Sequence, residues 1–169
     1  MSTAMLKVLF DFTDPDAANA WHPIDDRVMG GISRSALHND PAGHAVFKGE
    51  VSLERNGSFA SVRSRTGERG VRGAEACLIE LRGDNKQFKL SLLTDDGFDS
   101  VNYQASFTPA GSTLQTLRLP LAEFRASFRG REVLGAPPLD PARIRQVGLM
   151  IAARQAGPFA LNIKRISLS

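Results

Sequence analysis

Close to its C-terminal end the chain reads Phe159-Ala160-Leu161-Asn162-Ile163-Lys164-Arg165-Ile166-Ser167-Leu168. Phe159, Leu161 and Ile163 share one face; the beat breaks at Lys164-Arg165, and Ile166 and Leu168 resume it. A side-chain period of two belongs to an extended strand with one buried and one wetted face. A slip of one residue inside such a strand predicts a β-bulge. The stretch 101–108 repeats the pattern: Val101, Tyr103, Ala105 and Phe107 take one face, and Asn102, Gln104 and Ser106 the other. Short apolar-rich runs of the same kind occupy 5–10, 45–53, 59–64, 77–81, 88–94, 114–119 and 144–152.

The punctuation between these runs suits antiparallel strands. Asn56-Gly57, Gly83-Asp84-Asn85, Asp95-Asp96-Gly97 and Pro109-Ala110-Gly111 all stand where turns are needed. Helical signals are few. Asp14-Pro15-Asp16 combines a capping residue, a proline at a first helical position and a first-turn acid, which predicts one short helix over about 15–20. A single helical turn is expected at 120–124. No helix of 10–15 residues separates the strands, which argues against parallel βαβ units. The expected fold is all-β: one domain over 1–169, a two-sheet antiparallel β-sandwich of jelly-roll type with one short N-terminal helix.

The 169 residues are 42% hydrophobic and 23% charged, enough for an ordinary core and too apolar for a disordered chain. No window approaches the roughly 18 apolar residues of a membrane span. Residues 1–10 lack the features of a signal or transit peptide. Cys77 is the only cysteine, which excludes an internal disulfide and a cysteine-rich metal site; a reducing cytoplasm is the expected location. Net charge is +3, and the last third carries most of the excess. Its basic residues are scattered singly, without interleaved Tyr or Trp for base stacking, so nucleic acid is not an expected partner.

Catalytic constellations are absent. Ser33, Ser61 and Ser64 lack a nucleophile elbow, and Cys77 lies in an apolar run with no basic neighbour. His22, His38 and His44 lack metal-ligand spacing, and the last two are expected in a surface loop. Asp95, Asp96 and Asp99 lack the spacing and terminal glutamate of a calcium loop. A glycosidase pair drawn from Asp26, Glu50, Glu54, Glu80 and Asp84 is the weaker, hydrolytic alternative. No cofactor motif is present.

The most informative segment is Trp21-His22-Pro23-Ile24-Asp25-Asp26-Arg27-Val28-Met29-Gly30-Gly31-Ile32-Ser33. It is not a phosphate loop, since no Lys-Ser or Lys-Thr comes after the glycines. It resembles the signature of the complex I intermediate-associated protein 30 family, a Trp followed by Asp-x-Val-Met-Gly-Gly-x-Ser. Further matches come in order: Phe47-Lys48-Gly49, then Asn56-Gly57-Ser58-Phe59-Ala60-Ser61-Val62-Arg63, Arg82-Gly83-Asp84, Tyr103-Gln104-Ala105-Ser106-Phe107, Leu119-Pro120-Leu121 and Gly157-Pro158-Phe159. Ser58 stands where the family has a second glycine. The family's Trp shortly before the Leu-Pro pair is missing.

The resemblance implies a galactose-binding-like jelly roll. It also implies a non-catalytic role in assembling NADH:ubiquinone oxidoreductase, with a respiratory-complex subunit or assembly intermediate as protein partner. It gathers Trp21, Asp26, Arg27, Asn56, Arg63, Arg82, Asp84, Tyr103 and Gln104 as candidate contact residues. The same residues also read as a structural network in which Arg63 and Arg82 neutralise Asp26 and Asp84. A carbohydrate-binding module is the alternative function, and it would need Trp21 or Tyr103 as an exposed platform for a sugar ring.

Overall fold

A computed structural model describes residues 6–24, 34–51, 60–83, 85–97, 100–128, 131–151, 155 and 157–169. Their strands are β1 (Lys7–Asp11), β2 (Trp21–Pro23), β3 (Arg34–Asp40), β4 (His44–Val51), β5 (Ala60–Ser64), β6 (Ala76–Gly83), β7 (Phe88–Leu93), β8 (Asn102–Phe107), β9 (Gln115–Pro120), β10 (Arg125–Phe128), β11 (Arg131–Glu132), β12 (Gln146–Ile151) and β13 (Gly157–Leu168). They form two antiparallel sheets. One has the order β3-β4-β13-β6-β9 with β1 also on β13; the other runs β11-β10-β8-β7-β12-β5-β2.

β13 organises the first sheet. Its front half pairs with β4, its rear half with β1, and β6 lies along most of its other side. The pairing with β6 shifts register between Ile163 and Arg165, where the broken alternation predicts a bulge. The extra residue lets Phe159, Leu161, Ile163, Ile166 and Leu168 all reach the interior. They meet Phe88, Leu90 and Leu92 of β7 and Val147, Leu149 and Ile151 of β12, all fully buried. At one end Phe47 packs edge-on to Phe159, with ring centroids 4.9 Å apart, and beside Phe88 at 6.2 Å. At the other end Phe10, Phe12 and Trp21 form a second aromatic group.

The expected N-terminal helix does not form. The structure has only a 3-10 turn at Ala17–Ala20. Asp14 Oδ1 accepts the amide of Asp16 and Asp14 O accepts that of Ala17, so the capping chemistry closes a tight turn instead of starting a helix. Trp21 then enters β2 at once. A second 3-10 turn, Leu121–Glu123, lies where a helical turn is expected. The expected loop around His38 and His44 is also wrong. These residues lie on β3 and β4, joined by a turn whose Asp40 carboxylate accepts the amide of Ala42. The turn residues are there, but the pairing runs up to them on both sides.

Candidate functional site

The pairing registers put one row of side chains straight across the outside of the seven-stranded sheet. His22 opposes Arg63, Arg63 opposes Gly148, Gly148 opposes Ser91, Ser91 opposes Gln104, and Gln104 opposes Arg125. Neighbours along each strand alternate inward: Val62, Leu149, Leu90, Leu92 and Tyr103 belong to the core. The row therefore points away from the core. An outward row should be wet. Instead Ser91 is 5% exposed, and Ser61 and Gln146, also outward, are 8% and 4%. These outward side chains are screened from solvent.

Two local features shape this face. Gly148 leaves the middle of the row without a side chain, and a β-carbon there would lie 3.4 Å from Ser91 Cβ and from Val62 O. The strands pack closely at that point. On one flank the turn after β7 folds onto the outer face. Gln146 Nε2 donates to the carbonyls of Asp95 and Gly97 at 2.8 and 3.2 Å, and Asp95 Oδ1 accepts the Gly97 amide at 2.8 Å. Arg145 fastens the same turn by donating to both carboxylate oxygens of Asp96 at 2.8 and 3.2 Å. That hydrogen bond, more than charge alone, holds the Asp96 carboxyl below the usual carboxylate range. Of the acids considered for a calcium loop, Asp95 and Asp96 thus close a turn and anchor it to β12, and Asp99 lies outside the described residues.

The chemistry of this face is donor-rich. Arg63 is half-buried, and desolvation lowers its affinity for its proton while Asp95 opposes the effect. Desolvation, then Arg63 and Arg65, push the His22 imidazole below its ordinary value. Gln104 Nε2 donates to Ser91 Oγ at 3.3 Å. Asn102 Nδ2 donates to Ser100 O at 3.4 Å, while its Oδ1 is buried without a partner among the described residues.

The nine candidates from the sequence do not form one cluster. Arg63 and Gln104 stand on the outer face of the seven-stranded sheet. Trp21, 8% exposed, and Tyr103, 6%, are in the core between the sheets. Tyr103 donates its hydroxyl to Pro137 O at 2.7 Å, tying down the loop between β11 and β12. Arg82 is exposed on the outside of the six-stranded sheet, lining a shallow depression of about 200 Å³ with His44, Asn162 and Lys164. Asp26, Arg27, Asn56 and Asp84 lie outside the described residues. Sequence reasoning missed Ser91, Gly148, Asn102 and Arg125. The alternation in Phe88-Lys89-Leu90-Ser91-Leu92 marks the outward residues of that strand, but strand order, which aligns them, has no local signal.

Other chemistry finds little footing. Cys77 is fully buried and its thiol is pushed up to about 12 by desolvation, which removes the thiolate needed for attack. Glu80 and Asp11 share Arg165, at 3.0 and 3.8 Å, on the outside of the six-stranded sheet. They form a charge-neutralising group there. Among the described residues no three His, Cys, Asp or Glu side chains converge as metal ligands, and no helix is long and apolar enough to cross a membrane.

Comparison with known structures places the fold among carbohydrate-binding modules. The family 11 module of a Clostridium thermocellum cellulosomal cellulase superposes with a TM-score of 0.70 over 99% of this chain and 95% of that one, at 16% identity. A family 29 carbohydrate-binding module superposes at 0.55, covering 98% of this chain and 92% of that one, at 12% identity. An agarase contains a similar unit, with a TM-score of 0.63 over 97% of this chain and 24% of the enzyme, also at 12%. At such identities the likeness concerns fold alone. In sequence, an uncharacterized protein of Schizosaccharomyces pombe is 31% identical over 171 aligned positions, covering 86% of this chain and 78% of the yeast protein. The model of the family described as Complex I intermediate-associated protein 30 matches residues 10–163. With both the sandwich and the ordered motifs accounted for, the chain belongs to the complex I intermediate-associated protein 30 family.

Proposed function

We propose that this protein is a non-catalytic binding module that holds a protein partner on the outer face of its seven-stranded sheet, in the service of assembling a respiratory complex. One observation carries the reading: a polar row that faces outward and is nevertheless screened from solvent. A sheet exposes outward polar side chains unless something is built around them, and the 94–97 turn is fastened along this face by four side-chain hydrogen bonds from Gln146 and Arg145. Arg63 and Gln104 are its contact residues among the described candidates. Asp26, Arg27, Asn56 and Asp84 remain part of the proposal through the motifs they carry, and Arg82 belongs to a separate surface. Family membership supports the assembly role, and a reducing cytoplasm suits the single buried thiol.

The second reading, a carbohydrate-binding module, draws on the fold likeness. Sugar recognition on such a face relies on exposed aromatic rings that stack against pyranose faces. Here Trp21 and Tyr103 are inside the sandwich, and no Phe, Tyr or Trp side chain faces out from the described strands of the seven-stranded sheet. The protein-binding reading therefore has the better support.

Affinity capture from the native host tests it. The wild-type chain should retain a specific partner that the Arg63→Ala, Gln104→Ala double variant loses and the Arg118→Ala variant keeps. Equal retention by all three refutes the placement of the site, and glycan-array hits without any protein partner refute the function.

A further inference from the structure

We propose that the depression on the outside of the six-stranded sheet is a binding site for a phosphate group. It lies on the sheet opposite the partner-binding face and stands independently of that reading. The site begins with the broken alternation in β13. Pairing with β6 steps from Ile163–Leu81 to Arg165–Glu80, which leaves Lys164 as the extra residue. Because Ile163 and Ile166 are both buried, the bulge turns Lys164 and Arg165 outward together. Arg165 is taken up by Glu80 and Asp11, at 3.0 and 3.8 Å. Lys164 has neither an ion pair nor a side-chain hydrogen bond among the described residues.

Strand pairing brings two more donors to the same place. Asn162 is the outward neighbour of Lys164 on β13, and it opposes Arg82 of β6. Arg82 and Lys164 are therefore diagonal cross-strand neighbours, rooted about 7–8 Å apart, so both charged ends reach one small group. With Asn162, His44 and Leu114 they line the depression of about 200 Å³. It forms where β4 leaves β13 after Ile163 and β1 joins at Arg165. The turn between β3 and β4 is a fixed wall: Ala42 N donates to Asp40 Oδ1 at 2.8 Å and Gly43 N to Asp40 O at 3.0 Å. No Asp or Glu lines the depression among the described residues, and Asp40 at its edge faces His44 Nε2 at 3.7 Å. The side chains of Arg82 and Asn162, like that of Lys164, have no hydrogen-bond partner among the described residues.

These donors select the ligand. A guanidinium fork, an ammonium and a carboxamide N–H offer more hydrogens than the two oxygens of a carboxylate can take, and a phosphate group brings three terminal oxygens to meet them. A phosphate monoester carries a charge of about −1.5 to −2 at neutral pH, which matches two cations. Leu114, 54% exposed at the rim, gives an apolar contact to whatever carries the phosphate.

Amide NMR tests this, with O-phosphoserine, glucose 6-phosphate, inorganic phosphate and acetate each titrated into the full chain at constant ionic strength. The phosphates should shift the Gly43, Arg82, Asn162 and Lys164 amides saturably, and acetate should not. Arg82→Gln and Lys164→Gln should each raise the dissociation constant about ten-fold or more. Asn162→Asp should abolish binding, because its carboxylate would repel the phosphate and engage both cations. Arg118→Gln removes an exposed cation from β9 on the same outer face and should leave binding unchanged. Tighter binding of a monoester than of inorganic phosphate, with the difference removed by Leu114→Ser, names an organic phosphate as the source. Equal binding of all three upholds the site with free phosphate as its ligand. Absence of saturable shifts, equal weakening by Arg118→Gln, or acetate moving the same amides at the same concentrations each overturns the inference.

Discussion

Replacing Gly70 by alanine tests the packing that holds the sandwich together beneath the site. The segment after β5 runs beside the segment before β12. Gly67 N donates to Arg145 O at 3.0 Å, Arg69 N to Ile144 O at 3.1 Å and Val71 N to Pro141 O at 2.8 Å. At Gly70 the two backbones close so tightly that a β-carbon would lie 2.3 Å from Ala142 O and 2.4 Å from its carbonyl carbon. No rotamer relieves that collision, because backbone is on the receiving side. The strap must move by about an ångström, and the three flanking hydrogen bonds, worth about 1 kcal/mol each, lengthen or break. The expected loss is about 3 kcal/mol, which in a domain of this size lowers the melting temperature by about 6–12 °C. Gly73→Ala is the control: its φ is +80° with nothing within 4 Å, so only the left-handed backbone costs energy, about 1 kcal/mol. Urea unfolding and calorimetry of both variants give the comparison. Equal stabilities for the two variants, or a Gly70→Ala protein as stable as the wild type, would refute the close approach.

Tyr103→Phe should cost about 1 kcal/mol in chemical denaturation, because it deletes the 2.7 Å hydrogen bond to Pro137 O while keeping the ring in the core. Cys77 should resist thiol reagents in the native protein. Its folded value of about 12 exceeds the ordinary 9.0, so the native state keeps a proton that the unfolded chain releases. Its contribution to stability is therefore complete below pH 9 and declines between pH 9 and about 12, by up to about 1.4 kcal/mol per pH unit, a slope that Cys77→Ala should lack. The His22 imidazole, lowered first by desolvation and then by the Arg63 charge, should titrate below 6.5 by NMR, and Arg63→Gln should raise its midpoint by removing that guanidinium. Since the unfolded chain binds that proton more readily, His22 favours the folded state less as pH falls through 6.5.

Much of the fold is written in local alternation. The β13 pattern announces both its buried face and its bulge, since a period of two with a single slip has few other meanings. Cys77, Ile79 and Leu81, and Phe88, Leu90 and Leu92, announce theirs equally well. Two-residue and three-residue pairings such as β11 and β2 are too short to carry a period, and their positions depend on the strands they join. Asp14-Pro15-Asp16 shows the limit of capping signals: the same groups start a helix or close a turn, and the residues downstream decide between them. Here Trp21 is drawn into the aromatic group with Phe10 and Phe12.

The site was half legible. The sequence marks Arg63 and Gln104 as polar residues among apolar neighbours, but their alignment with Ser91 and Gly148 comes from long-range pairing of β5, β12, β7 and β8. Arg82 looks equivalent in sequence, yet the chain order of the strands sends it to the other sheet. Trp21 and Tyr103 carry polar atoms that suggest contact residues, but their inward phase on β2 and β8 makes them core.

A photoreactive amino acid in place of Gln104, compared with the same residue in place of Arg118, asks directly which side of the sandwich holds the partner. Irradiation in the native host should yield a covalent adduct to one defined protein from position 104 and none from 118. Adducts from position 118 alone, or from both positions alike, would contradict the account.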